Sequence, residues 1–276
     1  MAVGDVRVGF VGVGSMGTPM VDRMLAAGLP DTVYARRPEV RERFAAAGAT
    51  VTDVIAEAAA GAAVVLECVY SDAQAEDLVL GADGVVGALE PGAVLGMHHT
   101  GSPAFAARVA AAAQARGADA VDAPVSGANT DIEAGNLTVM LGGEPAARDQ
   151  IRDVIAAYSS NIFDVGAIGT AQGLKLVNNT LFAANLQLAC DTERVARELG
   201  IDLPVLVEII HASSGQSYAL DVLGPIGGAE AMIPAAGHYM RKDVDATKAV
   251  AAELGLDLGL LGEVADGPID WGTAKS

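Results

Sequence analysis

Cysteine is scarce: the 276-residue chain has two, Cys68 and Cys190, both in apolar surroundings. Two such thiols do not make a disulfide scaffold, and a reducing cytoplasm is the expected compartment. Long apolar runs are also lacking. Although 51% of the residues are hydrophobic, no uninterrupted run approaches the ~18 residues of a membrane span, so no membrane association is expected. The opening stretch, MAVGDVRVGFVGVGSMG, carries Asp5 and Arg7 ahead of a glycine-punctuated run and reads as a first strand, not a signal peptide. Positive charge is short too. Seventeen Lys and Arg against 35 Asp and Glu give a net charge of −18. That balance argues against nucleic acid as a partner, since its phosphates demand Lys and Arg. An anionic ligand has to be met by a local basic site.

What is present falls into two halves. From residue 6 to about 165, short β-branched runs (VRVGFVGVG, ATVTD, AAVVLECV, GAVLGMH, ADAVDAPV, NLTVMLGG, NIFDVG) are separated by Ala-rich helical segments. Strands alternating with helices predict an α/β fold with a doubly wound parallel sheet. After Gly173 the strand signals stop. Residues 171–198 contain no proline and predict one helix of roughly 40 Å, with Gly200 as its C-terminal cap. The rest reads as helical. The expected domains are a Rossmann-type domain over 1–165 and a smaller all-α domain over 166–276 that begins with the long interdomain helix.

Gly12-Val13-Gly14-Ser15-Met16-Gly17 follows the first strand and opens a helical pattern. In a dinucleotide site the first glycine makes the tight turn, the second lets backbone approach a pyrophosphate, and the third lets helix pack on strand. An NAD site usually has an acidic residue at the end of the second strand for the ribose hydroxyl. Here that position reads Ala35-Arg36-Arg37. Two guanidinium groups suit a 2′-phosphate and favour NADP(H) over NAD(H), unless one or both lie on a solvated face.

Between Asp164 and Asp191 the only charged side chain is Lys175, with Asn179 four residues on and so on the same helix face. A lysine in an apolar pocket has its pKa pulled down, which suits proton transfer near neutral pH. The alternative is a lysine snorkelling at a helix edge. Ser126 and Gly127, in DAPVSGANTDIEAGNLTVMLGG, fall where ligands of open α/β sheets bind, and form either a carboxylate site or an ordinary turn.

Four segments in order, GFVGVGSMGTPM, DAPVSGANTDIEAGNLTVMLGG, GTAQGLKLVNN and MRKDVDATKA, make the chain resemble the β-hydroxyacid dehydrogenase family of the 6-phosphogluconate dehydrogenase superfamily, from about residue 6 to 260. That family includes 3-hydroxyisobutyrate dehydrogenases and tartronate semialdehyde reductases. The resemblance implies hydride transfer between the cofactor and a small carboxylate-bearing hydroxy acid. It implies Lys175 as acid/base, Asn179 holding the substrate, and Ser126, Gly127 and Ala128 around its carboxylate. Lys242, beside Asp243, would reach cofactor and substrate, Thr100 would lie near the nicotinamide, and Val69 and Tyr70 would cover the adenosine. The active site would lie in the cleft between domains. A homodimer and no metal are also implied.

The chain departs from the family pattern at Ala128, usually glycine; at Met97-His98-His99-Thr100, usually with aspartate and serine; and at Val69-Tyr70-Ser71, usually with Leu-Pro. It also ends sooner than most relatives. His98 and His99 lack a third ligand at useful spacing for a metal, and are candidates to line the cofactor cleft. His211 either faces the substrate or lies packed or on the surface. Trp271 reads as a packing or dimer anchor. Two other functions fit the same pattern: an NADPH-dependent imine reductase, which usually has another residue at Lys175, and a non-catalytic NADP-binding protein.

Overall fold

Neighbouring residues of the first strands point to opposite faces of one sheet, and both faces are buried. The strands β1 (Val8–Val11), β2 (Asp31–Tyr34), β3 (Thr50–Thr52), β4 (Val64–Glu67), β5 (Val94–Met97) and β6 (Asp119–Asp122) pair in parallel. The structure, a computed structural model, describes residues 6–29 and 31–271; Asp5 and the tail beyond Trp271 lie outside them. Strand order β3-β2-β1-β4-β5-β6 is that of a doubly wound sheet, with the reversal between β1 and β4. Between the strands run α1 (Gly17–Ala26), α2 (Pro38–Ala46), α3 (Ile55–Ala59), α4 (Asp72–Ala75) with a π-helical turn at Glu76–Leu80, α5 (Val85–Ala88) and α6 (Pro103–Gln114). Val8, Phe10, Val64 and Leu66 pack on one face with Met20 and Met24 of α1. Val11, Val65, Leu95 and Met97 pack on the other with Phe105 and Val109 of α6. Each such side chain contributes about 1.5–3 kcal/mol by leaving water.

The sheet is not wholly parallel. Pro124, with no N–H to extend the ladder, ends β6, and the chain continues as β7 (Val125–Ser126), α7 (Asn129–Ala134), β8 (Thr138–Gly142), α8 (Pro145–Ile155) and β9 (Asn161–Gly166). β8 runs antiparallel to β6 and β7, and β9 pairs in parallel with β8. The link from β7 to β8 is too short for a parallel crossover.

From Thr170 the chain is helical: α9 (Thr170–Glu198), α10 (Leu203–His211), α11 (Tyr218–Ile226), α12 (Ala229–Leu254) and α13 (Gly259–Ala265). Two compact units result, Met1–Lys175 and Leu176–Ser276, so α9 begins in the first and continues in the second. The second unit has its own core, with Leu186, Leu220, Leu223, Met232 and Trp271. Trp271 is a packing residue there: its indole N–H donates to the Ala265 carbonyl at 3.3 Å. Among the described residues no helix is long and apolar enough to cross a membrane.

The start of α9 is tied to the sheet by a buried carboxylate. Asp122, at the end of β6, accepts from the Gly169 N–H at 3.0 Å and the Gln172 N–H at 2.8 Å. The Gln172 side chain accepts from the Gly101 N–H and donates to the His99 carbonyl, both at 2.9 Å. Burial raises the Asp122 pKa, and the Gln172 and Gly169 donors oppose that rise. We expect Asp122→Ala to lose about 2–4 kcal/mol in urea unfolding, because it removes a cap and leaves two buried N–H groups without an acceptor. Asp122→Asn, which keeps one acceptor, should lose less. A loss below about 0.5 kcal/mol for the alanine variant would mean that α9 is anchored elsewhere.

Candidate active site

The turn between β1 and α1 is glycine at three positions for different reasons. Gly12 has φ +104°, and a Cβ there would lie 2.4 Å from the Cys68 carbonyl of the neighbouring loop. A Cβ on Gly17 would lie 2.1 Å from the Gly12 carbonyl. Those two glycines let α1 pack onto the strand ends. Gly14 is different: a Cβ would meet nothing within 4 Å. Gly14 is thus not required by packing, unlike Gly12 and Gly17. Gly14 and Ser15 are exposed. Met16 caps α1 with no side-chain hydrogen bond, and the first turn holds no acidic residue. Among the described residues its first N–H groups thus have neither a side-chain cap nor an acidic residue in their own turn, as suits a pyrophosphate site.

At the end of β2, Arg36 and Arg37 are both exposed. Arg37 lies 3.8 Å from Glu39. The Arg36 guanidinium makes no hydrogen bond or ion pair among the described residues. Sequence reasoning missed Arg41, whose guanidinium donates to the Ala35 and Arg36 carbonyls at 2.8 and 2.9 Å and pairs with Asp53 at 3.3 Å. It braces the loop that presents the other two.

His98 and His99 do not line a cleft; both rings are buried and fully engaged. His98 Nδ1 lies 2.6 Å from the Ala123 carbonyl, which can only accept, so Nδ1 carries the proton and Nε2 accepts from the Tyr158 hydroxyl at 2.7 Å. Burial lowers the His98 pKa, in keeping with a neutral ring. His99 is the opposite case. Its two nitrogens face Glu67 at 2.6 Å and Asp72 at 3.0 Å, so both must carry protons. Burial pulls its pKa down, but the Glu67 carboxylate and then Asp72 outweigh burial and raise it to about 9. Glu67 also accepts from the Val69 N–H at 2.7 Å, and Asp72 from the Ser102 N–H at 3.0 Å. One imidazolium thus joins the loop that carries Val69 and Tyr70 to the loop that carries Thr100.

Ser126 is half-buried at the end of β7, and its hydroxyl makes no hydrogen bond among the described residues. Gly127 has φ +136°, a left-handed conformation that favours glycine. The Ala128 N–H is already used: it donates to Asp131 at 2.6 Å. Lys175 is 7% exposed, one turn of α9 beyond Gln172. In the second unit Asn179 is also buried and doubly held. Its Nδ2 donates to Asp243 at 2.5 Å and its Oδ1 accepts from Asn178 at 3.0 Å. Asp243 pairs with Lys242 at 3.2 Å. His211 is an exposed partner of Asp221 at 3.0 Å.

A glycine turn at the switch point of a doubly wound sheet, opening on an uncapped helix, defines a pyridine-nucleotide oxidoreductase fold. The family model for the NAD binding domain of 6-phosphogluconate dehydrogenase matches residues 7–167, and the model for the NAD-binding domain of NADP-dependent 3-hydroxyisobutyrate dehydrogenase matches 169–266. An NAD-dependent L-serine dehydrogenase of Pseudomonas aeruginosa is 33% identical over 259 residues, spanning 94% of this chain and 85% of the relative. The structure of a Mycobacterium tuberculosis 3-hydroxyisobutyrate dehydrogenase with L-serine superposes with TM-score 0.83 at 26% identity, over 95% of this chain and 91% of that one. An imine reductase of Streptomyces aurantiacus shares the fold alone, at TM-score 0.65 and 20% identity over 94% of this chain and 92% of that one. The chain belongs to the β-hydroxyacid dehydrogenase family.

Two predictions follow from this geometry. Gly14→Ala should weaken dinucleotide binding in a fluorescence titration while leaving unfolding within about 0.5 kcal/mol of the parent. Gly17→Ala should lower stability itself, because its Cβ meets backbone; equal effects from both would sink the distinction. The second concerns pH. His99 has a folded pKa of about 9 against 6.5 for a free imidazole. A raised folded pKa means a stabilisation that is complete below pH 6.5 and lost as pH rises through about 9. Glu67 and Asp72 face the ring, His98 nearby is neutral, and Cys68 is pushed up to about 12, above this window. Urea unfolding should thus show up to roughly 3 kcal/mol of decline across that interval, and His99→Gln should flatten the slope.

Proposed function

We propose that the protein transfers a hydride between NADP(H) and a small β-hydroxy acid or its semialdehyde or keto form, with Lys175 as the acid/base. The observation that carries this is the burial of Lys175 in an otherwise uncharged stretch of α9, one turn beyond the bonds that anchor that helix at the sheet. A lysine is held out of water at a cost that favours groups with a task. In the oxidative direction Lys175 takes the hydroxyl proton; in reverse it returns it and its charge stabilises the oxygen that becomes an alkoxide. The nicotinamide, when bound, accepts or supplies the hydride.

The substrate carboxylate is assigned to the Ser126 hydroxyl and the Gly127 turn. The Ala128 N–H is a poorer candidate, because Asp131 already occupies it with a negative charge. Asn179 orients the substrate with the amide hydrogen that Asp243 does not use, and Lys242 serves the same region while paired with Asp243. The two relatives above are named for L-serine and 3-hydroxyisobutyrate, both acids with a hydroxyl on the β carbon, and acids of that size are the proposed substrates. On the cofactor side Gly12, Gly14, Ser15, Met16 and Gly17 take the pyrophosphate. Arg36 and Arg37 take the 2′-phosphate, Val69 and Tyr70 the adenosine and Thr100 the nicotinamide. A cytoplasmic homodimer completes the reading; both cysteines are free thiols, as a reducing compartment allows.

The test is a turnover panel with NADPH and NADH against small semialdehydes, keto acids and cyclic imines, run in reverse with L-serine and 3-hydroxyisobutyrate. We expect hydroxy acid or semialdehyde turnover, a loss in Lys175→Ala of about 10²–10⁴-fold in kcat, and preference for NADPH that Arg36→Ala with Arg37→Ala abolishes by raising KM for NADPH alone. Turnover of cyclic imines only, or of nothing despite tight NADPH binding, would overturn the assignment. Undiminished turnover in Lys175→Ala would remove the lysine from the chemistry.

A further inference from the structure

Between Arg116 and Arg148 the chain has no Lys or Arg, yet it has Asp119, Asp122, Asp131, Glu133 and Glu144. The Ser126–Gly127 turn, assigned above to the substrate's carboxylate, lies inside that stretch. Asp131 is the acid that reaches it. Its Oδ2 accepts from the Ala128 N–H at 2.6 Å. The same oxygen covers Gly127, where a Cβ would lie 2.9 Å from Asp131 Oδ2 and 3.2 Å from Asp131 Cβ. Asp131 is half-buried. Among the described residues its Oδ1 has no hydrogen bond, and no Lys or Arg pairs with it. Asp122, by contrast, is already bonded to the start of α9.

Two carboxylates at one turn repel unless a cation lies between them. The Ser126 hydroxyl is a neutral donor, and the turn supplies no base of its own. A plain hydroxy acid held on Ser126 brings only its negative charge towards Asp131 across Gly127. An acid with an ammonium on the carbon that bears the carboxylate brings a charged donor to the unused oxygen of Asp131, and such hydrogen bonds are the strong ones. Serine and 3-hydroxyisobutyrate make the contrast directly: they differ only in an ammonium against a methyl on that carbon. The methyl fills the same space, offers Asp131 nothing, and keeps water from a half-buried charge. Asp131 acting as a cap of α7 alone would treat the two acids alike. Resting on the hydride-transfer reading above, we propose that Asp131 recognises a positive group on the substrate's α carbon, so that the site takes β-hydroxy-α-amino acids in preference to plain β-hydroxy acids. For serine, the hydroxyl carbon gives up a hydride to the nicotinamide and the hydroxyl its proton to Lys175. An aldehyde results on the β carbon, with ammonium and carboxylate unchanged.

Initial rates on the full chain test it, with NADP+ and with NAD+, near neutral pH, for both enantiomers of serine and of 3-hydroxyisobutyrate. The kcat/KM of the better serine enantiomer should exceed that of the better 3-hydroxyisobutyrate by about tenfold or more. The difference should lie in KM, because the ammonium is the same in ground and transition states. Asp131→Asn keeps an oxygen for the Ala128 N–H and removes the charge. It should cut that ratio by about fivefold or more, while 3-hydroxyisobutyrate holds or gains. Without any variant, alanine should inhibit serine oxidation far more strongly than isobutyrate, the same pair lacking the hydroxyl. A parent that prefers 3-hydroxyisobutyrate, or a ratio that Asp131→Asn leaves unchanged, overturns the ammonium site alone and leaves Asp131 a helix cap. If Asp131→Asn fails to fold, the parent's ratio and the alanine–isobutyrate comparison decide. A parent that turns over none of these acids overturns the hydride-transfer reading, and the ammonium site with it.

Discussion

The carboxylate of Asp122 is the constraint on which the first unit depends. It is fully buried, at the carboxyl end of β6, and it receives the N–H groups of Gly169 and Gln172 where α9 begins. The positive end of a 29-residue helix helps keep a negative charge tolerable there. Space is made for it by Gly142 on the paired strand, where a Cβ would lie 2.3 Å from Asp122 Oδ1. Gln172 then carries the anchor sideways to His99 and Gly101. Lys175 follows one turn later on a helix that cannot slide or roll without breaking these bonds. An apolar contact in place of Asp122 would hold the helix near the sheet but would leave its phase around its own axis free.

The loops at the carboxyl ends of the strands are joined in a similar way. Glu67 closes β4, Asp72 opens α4, and His99 follows β5. The imidazolium between the two carboxylates satisfies charges that would each be costly alone. The chain thus carries a buried ionic bridge between the loops that follow β4 and β5. Its physical effect is to make the Val69–Tyr70 loop and the Thr100 loop one piece, so a displacement of one is felt by the other.

Local patterns were legible in the sequence; pairings across the fold were not. Strands with both faces buried read as continuous apolar runs, the glycine turn has a fixed spacing, and α9 has no proline or strand signal, so each was visible within about thirty residues of chain. The break at Pro124 and the antiparallel β8 were missed, because ADAVDAPV scans as a single strand. Asp122 with Gln172, Glu67 with His99, and His99 with Asp72 are 50, 32 and 27 residues apart. Nothing in composition links such pairs before the strand order is known. The adjacent histidines drew attention as possible cleft residues, yet their rings serve unrelated neighbours, since alternate residues past a strand end point opposite ways. Ala128 was legible as a departure, but that its N–H belongs to Asp131 required the coordinates.

In the second unit the same helix is fixed a second time. Asn179 bonds Asp243, and Thr180 bonds Thr247 at 2.9 Å. The two partners on α12 are one turn apart, and the two on α9 are adjacent, so the pairs cannot both form if α12 shifts by a residue. Buried polar contacts of this kind add little net stability compared with apolar packing, but they specify register. Register matters here because Lys242 precedes Asp243 on α12, and its position follows from the Asn179 bond. A helix offers about three seams around its circumference. On α9 the first turn is committed to Asp122, and a buried flank to α12 and the core around Leu186 and Leu223. What remains is the uncharged face of Leu174, Leu181, Leu188 and Val195. The commitments that hold Lys175 and Asn179 in place are therefore the same ones that turn this face outward. A change that re-phased α9 to hide its leucines would withdraw the lysine from its position.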